Sequence, residues 1–424
     1  MLRCTRKRIP ASLSRERSQL KLFSRSMTRG RSPKSSFTWK KVYDLMPRAQ
    51  TGVLIGSWAD AKIKTEPRWR NWQTRCLEGA VGLKARAGST PALGIIFMAV
   101  RIVVDVMGGD RPPPEIVNGA LSAARKLPLK LVLAGKRREI EPHLDPEVDV
   151  EVLDAGDVVR MDDPPIKALR KKDSSLVKGI EFLAQGKADV FLSPGNTGAL
   201  VAAAVFILGR LPGISRPGIC AALPSVQGKE VFFIDVGANV DCSPEHLLGF
   251  ARMGSVYASQ VLGEERVAVG LLNVGTEALK GDKVTREAFR LLGRELPGFV
   301  GNVEPHDALV ARPADVVVSC GFAGNLCLKA LEGGAEAVWK GMREALQGSF
   351  RGRLGGIILQ GPLLKLAGRL RYEHYNGAPL LGVKGLVFVA HGRSTAPAIA
   401  AAVERAFWAA KAGLVDALAG ALSG

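Results

Sequence analysis

The turn Gly195-Asn196-Thr197-Gly198 follows a short apolar run and precedes an apolar helical pattern. Glycines allow backbone N–H groups to approach a ligand closely, and the N-terminus of a helix carries partial positive charge. The Asn and Thr side chains add directed hydrogen-bonding groups. The turn therefore predicts an anion-binding site, with an ordinary helix N-cap as the structural alternative.

Other candidate residues also lie in turns that follow apolar runs. Asp105 and Asp110 flank Gly108-Gly109 and could hold a basic side chain, although acids in turns are more often caps. His391 could act as a base or donor, or be a structural histidine. Further ligands for an anion or an oxyanion are predicted at these residues: Asn239, Asn273, Lys280 and Asn325.

Four basic residues, Lys167, Arg170, Lys171 and Lys172, cluster before another helical pattern. Such a cluster is usually a solvated face, but it also suits an acidic protein partner. We assign Lys167 or Lys280 to binding of an anion, and Arg170, Lys171 and Lys172 to docking of such a partner.

Several established kinds of site are missing from the sequence. It has no dinucleotide-binding GxGxxG, no phosphate-binding GxxxxGK[ST], no HExxH and no GxSxG. The five histidines do not pair at metal-ligand spacing. We therefore expect chemistry on a small anion with no cofactor and no metal.

A repeated pattern of elements positions the candidate turns from Met98 onward. An apolar β-branched run ends in a turn rich in Gly, Asn, Asp or Ser, and a helical pattern follows. This predicts an α/β fold with a largely parallel sheet covered by helices on both faces. Ligands bind beyond the carboxyl ends of such strands, so we expect the turns to converge on one edge of the sheet. The strand order is not predicted.

Charge separates the first 97 residues from the body. Residues 1–97 contain 21 Lys and Arg against 5 Asp and Glu, whereas residues 98–424 contain 38 against 35. The basic segment, which we expect to be disordered or upstream read-through, has three interpretations: translated upstream sequence that is not native protein, a transit peptide, or a tail that binds nucleic acid or anionic lipid. We favour read-through and predict that the nearly neutral body does not bind nucleic acid.

A series of motifs in the body resembles one family. The series comprises Met107-Gly108-Gly109-Asp110, Asp173-Ser174-Ser175, Gly195-Asn196-Thr197-Gly198-Ala199, Asp235-Val236-Gly237-Ala238-Asn239, Asn273-Val274-Gly275-Thr276-Glu277, Gly301-Asn302-Val303-Glu304, Gly321-Phe322-Ala323-Gly324-Asn325, Tyr375-Asn376-Gly377-Ala378-Pro379 and Ala390-His391-Gly392. Together they resemble the bacterial phosphate acyltransferases of phospholipid synthesis. Arg111, Pro194, Asp282 and Cys320 depart from that family's usual residues.

The resemblance implies a fold akin to phosphotransacetylases and isocitrate/isopropylmalate dehydrogenases, usually as a homodimer. It implies transfer of a long-chain acyl group from acyl carrier protein to phosphate, and use of the acyl phosphate by a membrane glycerol-3-phosphate acyltransferase. The alternative is a short-chain phosphotransacetylase that uses coenzyme A. A cytoplasmic location with peripheral membrane contact follows from the same resemblance.

The expected mechanism is direct attack of phosphate on the thioester, with Asn196, Asn239 or Asn325 stabilising the oxyanion. On this basis Asn196→Ala should reduce turnover and leave folding intact. We interpret Cys320 and Cys327 as core thiols rather than nucleophiles. Residues 354–370, apolar with basic flanks, would contact anionic lipid or form a dimer interface.

Overall fold

The computed structural model describes residues 99–370 and 376–422, so the basic segment of residues 1–97 lies outside it. In the described residues the chain forms a single sheet of eleven strands. The strands are β1 (Val100–Asp105), β2 (Leu129–Gly135), β3 (Val150–Asp154), β4 (Val190–Ser193), β5 (Gly218–Pro224), β6 (Glu230–Ile234), β7 (Val269–Leu272), β8 (Phe299–Val303), β9 (Val316–Val318), β10 (Ala378–Leu381) and β11 (Leu386–Val389).

Helices connect most of these strands. The helices are α1 (Pro114–Ala124), α2 (Arg137–Ile140), α3 (Pro165–Ala168), α4 (Ser175–Ala184), α5 (Thr197–Ala203), α6 (Pro244–Leu262), α7 (Lys283–Glu295), α8 (Pro305–Val310), α9 (Gly321–Gln347), α10 (Phe350–Leu370), α11 (Ala396–Lys411) and α12 (Leu414–Leu422). A 3₁₀ turn (Glu141–His143) follows α2, and a π-helical turn (Ala204–Leu208) continues α5.

The sheet has the order β3-β2-β1-β4-β11-β10-β5-β6-β9-β7-β8, and its two halves run in opposite directions. Strands β1, β2, β3, β4 and β11 are parallel to one another, as are β6, β7, β8 and β9. Three antiparallel pairs join the halves: β11 with β10, β10 with β5, and β5 with β6. An odd number of reversals makes the second half antiparallel to the first.

Alternating side chains of the strands fill two cores, one on each face. In β4, Val190 and Leu192 belong to one core and Phe191 belongs to the other, as expected for strands whose successive side chains point to opposite faces. Helices α1, α6, α7, α11 and α12 cover the first face, and α3, α4, α5, α8 and α9 cover the second. The predicted α/β class with a mostly parallel, doubly covered sheet is confirmed.

Helices α9 and α10 pack against each other and form a hairpin with many exposed apolar side chains. Val338, Phe350, Ile357 and Ile358 are each more than two-thirds exposed. Within the described residues, the helices are all too short or too polar to span a bilayer. The part of the predicted apolar segment from residue 364 onward lies outside the described side chains.

A glycine in α4 permits close packing on the central strand β4. A Cβ atom at Gly179 would lie 2.1 Å from Cε2 of Phe191, whereas one at Gly249, in α6, would have no atom within 4 Å. We therefore expect Gly179→Ala to lower the free energy of unfolding by about 1–3 kcal/mol through overpacking. Gly249→Ala is the matched control and should raise it by up to about 1 kcal/mol through helix propensity. Urea denaturation measures both, and equal effects would contradict this packing.

Candidate functional site

The candidate turns lie at two opposite rims of the sheet. The upper rim is the one at which β1, β4 and β11 end, and the lower rim is the one at which β6, β7 and β9 end. The expectation that all the turns converge on one edge is wrong, because the three antiparallel strand pairs reverse the direction of the second half. Asn239, Asn273 and Lys280 consequently follow strands that end at the lower rim, whereas Asp105, Asn196 and His391 lie at the upper rim.

A buried carboxylate connects the first two turns of the upper rim. Asp105 is 2% exposed, and its Oδ2 accepts a hydrogen bond from Ser193 Oγ at 2.7 Å. Ser193 Oγ in turn accepts from the backbone N–H of Gly195 at 3.0 Å. Burial raises the pKa of Asp105, while hydrogen bonds from Ser175 and Ser193 oppose that increase. The buried carboxylate of Asp105 therefore links the end of β1 to the turn that follows β4.

Glycines bring the upper-rim turns into backbone contact. A Cβ atom at Gly108 would lie 2.8 Å from Cα of Gly195, and one at Gly109 would lie 2.9 Å from the carbonyl oxygen of Gly392. Gly109 also has a φ of +82°, in the left-handed region that favours glycine. The N–H of Asp110 donates to the carbonyl of Gly392 at 2.8 Å. The ends of β1, β4 and β11 thus meet as predicted for that half of the sheet.

The side chain of Asn196 is fully used within the protein. Its Oδ1 accepts from the N–H of Ala199 at 3.0 Å and caps α5. Its Nδ2 lies 2.9–3.1 Å from the carbonyl oxygens of Arg160, Met161 and Asp163. The expectation that this amide is free to stabilise an oxyanion is therefore wrong. Asn196 positions the loop of residues 160–163 against the rim, so Asn196→Ala should disturb the fold as well as turnover.

The loop of residues 160–163 leads into α3, which packs against α5. Pro165 packs against Gly198, where a Cβ atom would lie 2.8 Å from the proline Cγ, and Thr197 is half-buried beside it. Lys171 Nζ donates to Asp163 at 2.7 Å and to the carbonyl of Val158 at 2.9 Å.

The four residues of the predicted basic cluster differ in their surroundings. Lys171 is committed to the loop, whereas Lys167, Arg170 and Lys172 are exposed. Lys172 lies 3.8 Å from Glu181, at a distance typical of a weak surface ion pair.

His391 lies at the upper rim and faces Lys329 of α9. Its Nδ1 accepts from the backbone N–H of Arg393 at 3.1 Å, so we assign the proton of the neutral ring to Nε2. Nε2 is 2.7 Å from Nζ of Lys329. Burial, followed by the positive charge of Lys329, lowers the pKa of His391, while Glu332 and Asp110 oppose this.

The contact between Lys329 and His391 therefore joins two N–H donors. Two donors do not hydrogen-bond to each other, but both can donate to one oxygen of an anion that lies beside them. Glu332 Oε2 lies 2.8 Å from Nζ of Lys329 and 3.8 Å from Nε2 of His391, so it partly balances the positive charge. This pair is therefore a candidate anion-binding feature of the upper rim.

Asn376 fixes the backbone of the His391 turn. Its Oδ1 accepts from the N–H of His391 at 3.1 Å, and its Nδ2 donates to Ser394 Oγ at 2.9 Å and to the carbonyl of Ala398 at 3.1 Å. These contacts orient the imidazole towards α9.

The lower rim is organised by the carboxylate of Asp235. Five N–H groups donate to it at 2.8–3.0 Å, from the backbones of Ile219, Gly237, Ala238 and Asn239 and from the Asn239 side chain. The Asn239 amide also donates to the carbonyl of Pro217 at 2.7 Å. Burial raises the pKa of Asp235, and these hydrogen bonds oppose the increase. Asn239 is therefore a structural residue and not the predicted oxyanion donor.

The other lower-rim candidates also have local roles. Asn273 donates to the carbonyl of Lys280 at 3.2 Å and accepts from the N–H of Val274 at 2.8 Å. Lys280 is exposed in this loop, and Asp282 caps α7 by accepting from the N–H of Thr285 at 2.7 Å. Neither Asn273 nor Lys280 follows a strand of the half that carries the predicted phosphate turn, and their assignment to that site stays a prediction.

Asn325 differs from the other lower-rim residues because it is on α9. It precedes Lys329 by four residues, so both lie on the same side of the helix.

Burial raises the pKa of Cys327, and Cys320 stands immediately before α9. The interpretation of these cysteines as non-nucleophilic remains a prediction.

Sequence reasoning missed Lys329 and Glu332. Both are within the long helix α9 rather than in a turn, and their i,i+3 spacing is typical of an ordinary surface ion pair. Only the direction of α9, which begins at the lower rim and reaches the upper rim, brings Lys329 to His391.

Two solved structures align with the chain at low sequence identity. A phosphotransacetylase from Streptococcus pyogenes aligns with a TM-score of 0.48 and 17% identity, covering 82% of this chain and 99% of that one. A 4-hydroxythreonine-4-phosphate dehydrogenase from Klebsiella pneumoniae aligns with a TM-score of 0.40 and 14% identity, covering 74% and 99%.

Sequence comparison gives closer relatives. The profile of the family described as "Fatty acid synthesis protein" matches residues 100–416. The phosphate acyltransferase of Geobacillus sp. (strain WCH70) is 45% identical over 309 residues, covering 72% of this chain and 94% of the relative. The phosphate acyltransferase of Bacillus subtilis (strain 168) is 42% identical over 311 residues, covering 72% and 93%. The resemblance of the motifs is thus confirmed, and the chain belongs to the phosphate acyltransferase family, enzymes that transfer an acyl group to phosphate.

Proposed function

We propose that this enzyme transfers a long-chain acyl group from the thioester of acyl carrier protein to inorganic phosphate, producing acyl phosphate for phospholipid synthesis. The observation that carries the proposal is the contact of 2.7 Å between Nζ of Lys329 and Nε2 of His391 at the upper rim. Membership of the phosphate acyltransferase family supports phosphate as the acceptor.

Phosphate binds beside these two donors. One of its oxygens accepts from Nζ of Lys329 and from Nε2 of His391, which relieves the donor–donor contact. The ammonium group supplies charge, and the imidazole supplies direction. Because Nδ1 of His391 accepts from the Arg393 N–H, the ring acts as a donor in this arrangement and not as a base.

The reaction needs no covalent intermediate with the enzyme. A phosphate oxygen attacks the thioester carbonyl, a C–O bond forms, and the C–S bond breaks. The proton of hydrogen phosphate passes to the leaving sulfur, so the products are acyl phosphate and the thiol of the carrier. Positioning and electrostatic stabilisation are the main contributions expected from the protein. Asn325, one turn before Lys329 on α9, is our candidate donor to the carbonyl oxygen.

Asp105, Gly108, Gly109, Gly195 and Asn196 serve as positioning residues. They hold the turns of β1, β4 and β11 together, and Asn196 also holds the loop of residues 160–163.

Acyl carrier protein is the proposed donor because three exposed basic residues lie in or just after α3. They are Lys167, Arg170 and Lys172. An acidic carrier protein would be attracted to them, whereas a short acyl-coenzyme A would make few protein–protein contacts. The product is a reactive acyl phosphate, which a membrane glycerol-3-phosphate acyltransferase would consume.

Replacement of Lys329 tests the phosphate site. We expect Lys329→Ala or His391→Ala to lower kcat/KM for phosphate by about a hundredfold, because each removes one donor to the anion. Lys340→Ala, further along the same helix and exposed, is the matched control and should keep full activity. Initial rates of acyl-phosphate formation provide the measurement, with circular dichroism to establish folding. Folded variants that keep normal rates at low phosphate would remove this pair from the site.

The donor can be identified by direct competition. We expect faster acyl-phosphate formation from palmitoyl-carrier protein than from palmitoyl- or acetyl-coenzyme A. Joint replacement of Arg170 and Lys172 by Ala should raise KM for the carrier and weaken its dependence on salt. Joint replacement of the exposed Lys126 and Lys130 by Ala is the control and should change neither. Preference for a coenzyme A thioester would establish the alternative, a phosphotransacetylase.

The α9–α10 hairpin is our proposed homodimer interface, because its exposed apolar side chains would be covered by a second copy. Joint Ile357→Glu and Ile358→Glu should convert a dimer to a monomer in light scattering, and Gln360→Glu, on the same helix, should not. A wild-type monomer that co-sediments with anionic vesicles would instead indicate that the hairpin contacts lipid, which we propose only as a weak secondary contact.

A further inference from the structure

Two thiols from different loops meet at the lower rim. Cys242 lies between β6 and α6, and Cys320 immediately precedes α9. The Cys242 thiol is next to the thiol of Cys320 and to the backbone N–H of Gly321. Cys320 Sγ donates to the carbonyl of Val240 at 3.3 Å. Both side chains are half-buried, and the proposed acyl transfer uses neither.

Close packing of backbone holds the two loops together. A Cβ atom at Gly321 would lie 2.3 Å from the carbonyl oxygen of Asn239, and one at Gly324 would lie 2.0 Å from that of Asp235. Ser319 Oγ also donates to the carbonyl of Asp235 at 2.9 Å. The loop of Cys242 and the start of α9 are therefore fixed against each other, and their thiols stay adjacent.

We propose that Cys242 and Cys320 are a redox-sensitive pair that forms an intramolecular disulfide by exchange with a low-molecular-weight disulfide. The thiolate of one cysteine attacks the small disulfide, giving a mixed disulfide and one small thiol. The second cysteine then displaces the other small thiol and closes the protein disulfide. Two protein thiols are oxidised, one small disulfide is reduced to two thiols, and the reverse exchange restores the pair.

The order of the two steps follows from the environment. Burial raises the pKa of Cys242 to about 12, so this thiol is protonated at neutral pH. A protonated thiol is a poor nucleophile, so Cys320 makes the first attack. Cys242, held beside Cys320, then attacks the mixed disulfide, and its proton passes to the small thiolate that leaves.

The disulfide would join the loop after β6 to the first residue of the helix that carries Lys329. It would cross-link two segments of the lower rim that are otherwise held by hydrogen bonds and glycine packing. This inference does not depend on the proposed acyl donor, and its test does not use catalytic activity.

The test uses the full chain with Cys4 and Cys76 replaced by Ser, which leaves the four cysteines of the described residues. After incubation with oxidised glutathione, we expect two of these four thiols to disappear without added glutathione mass. Peptide mapping should recover a cross-link between Cys242 and Cys320, and dithiothreitol should restore both thiols.

Serine variants identify the pair. Cys242→Ser should stop at a mixed disulfide of glutathione with Cys320, Cys320→Ser should form no intramolecular cross-link, and Cys327→Ser should behave as the parent. The proposal is overturned if the parent keeps all four thiols or carries glutathione on both Cys242 and Cys320. It is also overturned if an intramolecular disulfide still forms in Cys242→Ser or in Cys320→Ser. Ser retains a hydrogen-bond donor at each position, and thermal unfolding checks that each variant is folded.

Discussion

Three antiparallel ladders in the middle of the sheet determine where every functional turn lies. Strand β10 pairs antiparallel with β11 and β5, and β5 pairs antiparallel with β6. The two parallel halves therefore end at opposite rims. Turns that look equivalent in sequence are separated, and a helix must cross the sheet to connect them. Helix α9 makes that crossing from the turn beside Asp235 to the turn of His391.

The upper rim is built by close backbone contact and one buried acid. Gly108 and Gly195 approach so closely that a Cβ atom on the first would lie 2.8 Å from Cα of the second. Asp105 is taken out of water, which costs free energy unless its oxygens are hydrogen-bonded, and Ser193 provides one such bond. A substitution that breaks this contact would therefore leave a buried carboxylate and the Gly195 N–H with fewer partners.

The fold class was accessible from sequence because apolar runs, polar turns and helical periodicity recur along the body. Strand direction was not, since an apolar strand buried on both faces has the same pattern in parallel and antiparallel pairs. Asn196 shows a second limit: its residue type and position suit an anion site and an N-cap equally, and only the carbonyls of residues 160–163 reveal the second role.

Lys329 shows a third limit of prediction from sequence. Its partner His391 is 62 residues later, and no local spacing connects them. The resemblance to a known family supplied the acceptor chemistry, but not this contact. The prediction that separate turns meet is correct for the turns that follow β1, β4 and β11, whose carboxyl ends share a rim.

A single uninterrupted helix carries both Lys329 and half of the projecting hairpin. Helix α9 has 27 residues and is therefore about 40 Å long, with its anchored end against the glycine-packed lower rim. Because Lys329 and the exposed apolar Val338 are on this same helix, any tilt of its far end would change the separation of Nζ and Nε2.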